Sequence, residues 1–144
     1  MRVLALTAVC AAMLCGCDTA SRSHVAEIGG GVWDRPVTVT LPNSDTLGIY
    51  DMIVALRHDG SLEGRTVEMT VRTVTPDSLW TEEVLSVTVG DDGRSRSALH
   101  EAAAVYRRRV RLAREGDYRI TITPERPVKG VSAVGVEMSH SANE

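Results

Sequence analysis

"TVEMTVRTV", Thr66 to Val74, decides the fold. Val67, Met69 and Val71 fall on one side, and Glu68, Thr70 and Arg72 on the other. Successive side chains of a strand point to opposite faces, so this alternation marks a strand with one face buried and one wet. Outward from it the same period recurs. "VTVTL", Val37 to Leu41, puts Val37, Val39 and Leu41 on one face, and "EVLSVTV", Glu83 to Val89, does so with Leu85, Val87 and Val89. "YRITIT", Tyr118 to Thr123, turns Tyr118, Ile120 and Ile122 inward, and "VSAVGVEM", Val131 to Met138, does the same with Val134, Val136 and Met138. "LGIYDMIVALRH", Leu47 to His58, is apolar on both faces from Ile53 to Leu56, as a central strand is.

Turn chemistry separates these runs: "PNSD" at Pro42 to Asp45, "HDGSLEG" at His58 to Gly64, "TPDS", "GDDGR" at Gly90 to Arg94 and "REGD" at Arg114 to Asp117. His58 reads as a solvated loop residue. "ALHEAAAVYRR", Ala98 to Arg108, is ambiguous. Its alanines and the spacing of Leu99, Ala102, Ala103 and Tyr106 favour one short helix near 98–106. A strand with Tyr106, Val110 and Leu112 inward then follows. Seven or eight strands at this spacing predict an all-β, antiparallel β-sandwich over residues 32–139, with a frayed tail at 140–144. A two-sided apolar strand requires two packed layers.

The N-terminus carries a different signal. After Arg2, "VLALTAVCAAMLC", Val3 to Cys15, has no charge and is too short to span a bilayer, which takes about 20 apolar residues. It fits the h-region of an export signal. It ends in "LCGC", Leu14 to Cys17, which looks like a bacterial lipobox. Register selects Cys17, preceded by Gly16 with Leu14 three residues back; Cys15 follows the bulky Leu14, and Cys10 leaves too little h-region before it. Residues 1–16 are then a lipoprotein signal peptide and Cys17 the lipidation site. The alternative is an ordinary secretory signal with incidental cysteines. With all three cysteines in this segment, the body has no disulfide. Its net charge moves from −3 to −4 once Arg2 is removed. "DTASRSHVAEIGGG", polar and then glycine-rich, reads as a flexible tether, so that 17–31 lift the domain off the membrane.

Chemistry-bearing patterns are sparse. His24, His58, His100 and His140 are scattered, without the i, i+2 or i, i+4 spacing that sets two imidazoles on one metal. Glu82-Glu83 and Asp91-Asp92 are adjacent acids of the kind usually solvated at strand and turn edges. No nucleophile elbow or phosphate loop occurs. The expectation is no metal, no cofactor and no enzymatic activity. In the basic run "RRRVRLAR", Arg107 to Arg114, alternation sends Arg107, Arg109 and Arg111 to one outer face. That face is either a solvated edge that discourages strand pairing or a docking patch for an acidic partner or anionic headgroups. Nucleic acid is not expected, with no phenylalanine and few other aromatics to stack on bases. Trp33 and Trp80 either cap the ends of the core or serve as surface contacts.

In order and spacing, nearly the whole chain resembles the GldH gliding-motility lipoprotein family of Bacteroidota. The lipobox cysteine is followed by a tryptophan, Trp33, and "PVTVTL". Next come "DTLGIYDMIVALRH", Asp45 to His58, and "EGDYRITITPERPVKGVSAVGVEM", Glu115 to Met138. "DGSLEGRTV" and "PERP" depart from the family's loops. The resemblance implies a non-enzymatic, membrane-anchored envelope protein with protein partners in the gliding or type IX secretion machinery. Only one acid, Asp18, follows Cys17, where surface-exported lipoproteins of that phylum tend to carry an acidic run, which leans towards the periplasmic face; the expected place is the outer membrane facing the periplasm, the alternative being the inner membrane, which Asp18 would suggest under proteobacterial sorting rules. The rival expectation is a small ligand- or glycan-binding lipoprotein.

Overall fold

A computed structural model describes residues 21–90 and 100–142. The strands are β1 (Arg22–Glu27), β2 (Val32–Trp33), β3 (Val37–Asn43), β4 (Tyr50–His58), β5 (Thr66–Val74), β6 (Trp80–Thr88), β7 (His100–Val110), β8 (Gly116–Pro124), β9 (Val128–Lys129) and β10 (Val131–His140). They form two four-stranded sheets, ordered β1-β10-β4-β7 and β3-β8-β5-β6, and a two-stranded ribbon of β2 and β9. Every pairing is antiparallel. The sheets pack face to face as the all-β sandwich that the alternation predicts.

The core is aliphatic. β4 contributes Met52, Val54 and Leu56, and β10 Val134, Val136 and Met138; from the facing sheet come Met69 and Val71 of β5 and Ile120 and Ile122 of β8. Each set is spaced by two, so the strand period alone selects it. β4 is central in its sheet, which explains its second apolar face. Pro42 lies inside β3 rather than starting a turn. β3 is the edge of its sheet, where a missing N–H faces solvent and costs no ladder bond.

The structure corrects five expectations. The segment read as a tether over 17–31 contains β1, which pairs residue for residue with β10 from Arg22↔Met138 to Glu27↔Ala133. The glycine run then turns the corner towards β2, with Gly30 and Gly31 at φ of 75° and 69°, a region glycine enters without steric cost. The described domain therefore extends back to β1 rather than starting at residue 32. Among the described residues of the expected helix near 98–106, His100 onward is strand β7 instead. Ala102, Ala103 and Ala104 lie opposite Leu56, Ala55 and Val54 of β4, and ladder pairing overrides alanine's helix preference. His58 is not a solvated loop residue: it ends the inward row of β4 and is only 2% exposed. The start of the tail expected to fray at 140–144 is held in place: His140 pairs with Tyr50, and the Ser141 N–H donates to the Ile49 carbonyl at 2.9 Å. Finally, the two tryptophans divide: Trp33 is buried and Trp80 is exposed.

An arginine-rimmed cleft at one end of the sandwich

β3, β5 and β7 end, and β4, β6 and β8 begin, at one end of the sandwich, here called the upper end. It carries the loops 44–49, 75–79 and 111–115. Between the sheets there a cleft of about 360 Å³ opens over Met52, Tyr106, Val110, Leu112 and Ile120, with Arg107, Arg111 and Arg114 around its mouth. A cleft this size, apolar with a few polar groups, lies within the range that holds a small ligand or a partner's side chains.

The basic run does not form a single outward face. The pairing of β7 with β4 slips register between Tyr50 and Met52 and again between Met52 and Ile53. Arg109 takes a φ of 52°, and its N–H donates to the Asp51 carboxylate at 2.7 Å. These irregularities break the alternation that would align Arg107, Arg109 and Arg111. Arg107 swings across to β6, where Nη1 donates to Glu83 Oε2 at 2.8 Å and ties the two sheets together along that edge. Arg114 pairs with Asp77 at 3.3 Å. Arg111 is exposed and has no ion-pair partner among the described residues. The cleft thus gathers Arg107 and Arg111 with Arg114 and leaves Arg109 outside.

Three neutral groups hold the rim. Asn43, buried at the end of β3, donates from Nδ2 to the carbonyls of Leu112 and Arg114, each at 2.9 Å. The Arg114 N–H donates to the Tyr118 hydroxyl at 3.0 Å, and the Tyr106 hydroxyl bonds the Thr73 hydroxyl at 2.8 Å. Asn43 is invisible as a site residue in the sequence, where it belongs to turn-like "PNSD". Glu83 is likewise hidden in an acidic pair; strand alternation turns it towards β7 and sends Glu82 to the other face.

Two aspartates of the upper loops are held ionised by hydrogen bonds. The Thr75 hydroxyl, with a smaller contribution from the Arg114 guanidinium, lowers the Asp77 carboxyl below its usual range. In the neighbouring loop Asp45 is lowered to about 2, first by the Tyr50 hydroxyl and then by the N–H groups of Gly48 and Leu47. The same contact raises the Tyr50 phenol.

Elsewhere, His58 and His100 stack with ring centroids 5.5 Å apart, and the Gly60 N–H donates to His58 Nδ1 at 3.1 Å. The β4–β7 register places them opposite each other. Among the described residues no three His, Cys, Asp or Glu side chains form a metal-holding group, and no helix is long and apolar enough to cross a membrane. On the outer face of the second sheet, the Arg72 guanidinium lies 4.3 Å from the centre of the Trp80 ring. Cys17, the signal segment and Asp91-Asp92 lie outside the described residues. No family model matches the chain, and no curated protein matches it.

Proposed function

We propose that this chain is a lipid-anchored interaction module of the bacterial cell envelope, held by lipidated Cys17, with a protein partner that docks at the upper-end cleft. The observation that carries the docking role is the cleft itself. Its floor is apolar, it has room for one or two partner side chains, and Arg111 stands at its mouth without an ion-pair partner among the described residues. Such a site suits an apolar segment flanked by an acid. The lipobox register supports the anchor. The resemblance to gliding-motility lipoproteins supports a non-enzymatic role beside the gliding or type IX secretion machinery, on the periplasmic face of the outer membrane.

A photocrosslinking residue at Ala113, exposed beside the cleft, tests the role in cells. Capture of an envelope protein that is lost in Arg111→Glu supports it; capture equal to that from the distant Lys129 position overturns it. A palmitate analogue tests the anchor, which fails if Cys17→Ala labels as strongly as wild type. A second reading, a small-ligand or glycan-binding lipoprotein, draws support from Trp80, an exposed aromatic surface of the kind sugar sites use.

A further inference from the structure

We infer that, while its cleft is free of a partner, the upper end of the sandwich seats on the lipid bilayer, with Leu47 and Leu79, the latter a residue of the cleft lining, at the headgroup boundary and Trp80 beside them. The inference rests on the reading of Cys17 as the anchor and adds the orientation that follows from it. β1 consumes the middle of the expected tether. Five peptide links separate Cys17 from Arg22, and a fully extended chain covers about 18 Å over that distance. β1 starts near the upper end, since Arg22 lies opposite Met138 and Met138 opposite Met52, close to the start of β4. The lower end lies a further ~30 Å away, the length of a nine-residue strand such as β4. A domain hung on so short a leash presents its upper loops to the membrane first.

Those loops are built for contact with lipid. Leu47 is 77% exposed at the tip of 44–49, Leu79 is 65% exposed in 75–79, and Trp80, next to it, is 58% exposed. The other large exposed apolar residues among the described ones, Val25, Val84 and Val105, sit in mid-strand, and none sits at the lower end. Tryptophan favours the membrane–water interface, where its ring is amphipathic. The three upper loops carry Asp45, Asp77 and Glu115 against Arg111 and Arg114, with Arg114 paired to Asp77, so their charges largely offset one another. Apolar burial, rather than attraction to anionic lipid, then drives the seating, so neutral vesicles suffice.

The two native tryptophans lie at opposite ends and make the test direct. The full chain is reconstituted by its lipid into phosphatidylcholine vesicles with brominated acyl chains, after mass measurement of the lipidated fraction. Quenching of Trp80, read as the difference between wild type and Trp80→Phe, is the expected result, with buried Trp33 unquenched. Leu47→Asp and Leu79→Asp relieve the quenching while the protein stays vesicle-bound and folded by circular dichroism. Lipidated, vesicle-bound protein with Trp80 unquenched, or quenching indifferent to both aspartates, overturns the inference. If the mass shows no lipid, the anchor reading fails by itself and the chain's own partition is measured. Partition weakened about tenfold by each aspartate still supports the seating, and no partition overturns it.

Discussion

Replacing Gly135 with alanine adds one methyl group on β10 where β1 lies close against it. A Cβ there stands 2.8 Å from the His24 carbonyl oxygen and 3.0 Å from Val25 Cγ2. The valine methyl can move; the carbonyl belongs to the β1 backbone and moves only with the strand. Overpacking of this kind costs about 1–3 kcal/mol. The stiffer unfolded chain of alanine returns about 0.4–1 kcal/mol. The net loss, from about zero to about 2.6 kcal/mol and about 1.3 kcal/mol at the middle of both ranges, falls on a strand with little else to hold it. Of the six residues of β1 only His24 and Ala26 are even partly buried. The methyl group therefore releases β1 rather than unfolding the sandwich. Hydrogen exchange reads this directly: β1 amides exchange about tenfold faster, while β5 and β8 amides are little changed. If Gly135→Ala leaves β1 exchange unaltered, or raises the melting temperature, β1 is not docked on β10 and the segment is the tether its composition suggests.

Asn43→Ala strips the Leu112 and Arg114 carbonyls of their buried donor, costs about 1–3 kcal/mol in denaturant titration, and loosens 111–115 as seen by exchange. Glu83→Gln breaks the bridge to Arg107. Both side chains are about a third exposed, so screening limits the loss to about 0.5–1 kcal/mol, smaller still in high salt, and Glu83→Arg with Arg107→Glu recovers part of it. For Asp45 the folded pKa is depressed from 3.8 to about 2. Its stabilisation of 44–49 is complete above about pH 4 and is lost as the pH falls through 2. Exchange in that loop accelerates across this window in wild type, and Asp45→Asn abolishes the step.

What was legible in the sequence followed from burial. β3, β5 and β8 each bury one face, and their alternation places them at sight; β10 buries Ala133 and Gly135 on its second face as well, and Val134, Val136 and Met138 still mark it by their period. The outward-facing apolar residues of β4 announced a central strand. His58 was within reach of the same rule, because the inward series Tyr50, Met52, Val54, Leu56 continues to it by one more step of two. β1 was not legible. Its one large apolar residue, Val25, points to solvent, and its place comes from backbone pairing to β10, which leaves no period in the side chains. β7 misled because alanine suits a helix by propensity and suits this strand because it lies against β4. The arginine cluster was visible as a run, but its division into Arg107, Arg111 and Arg114 at the cleft and Arg109 outside depends on register slips. Asn43 and Glu83 join the site only through partners distant in the chain.

The weak attachment of β1 has a mechanical side. In the proposed anchored form, tension from a lipid at Cys17 would enter the domain at Arg22, the first of six residue pairs with β10. In the inferred orientation, with the upper end towards the bilayer, a pull normal to the membrane would run along the strand axis. All six pairs are then loaded together in shear and must fail at once. A lateral drag peels them singly, beginning at Arg22. The same few hydrogen bonds make a stiff link in one direction and a soft release in the other, so the domain can withstand being lifted and yield when swept sideways.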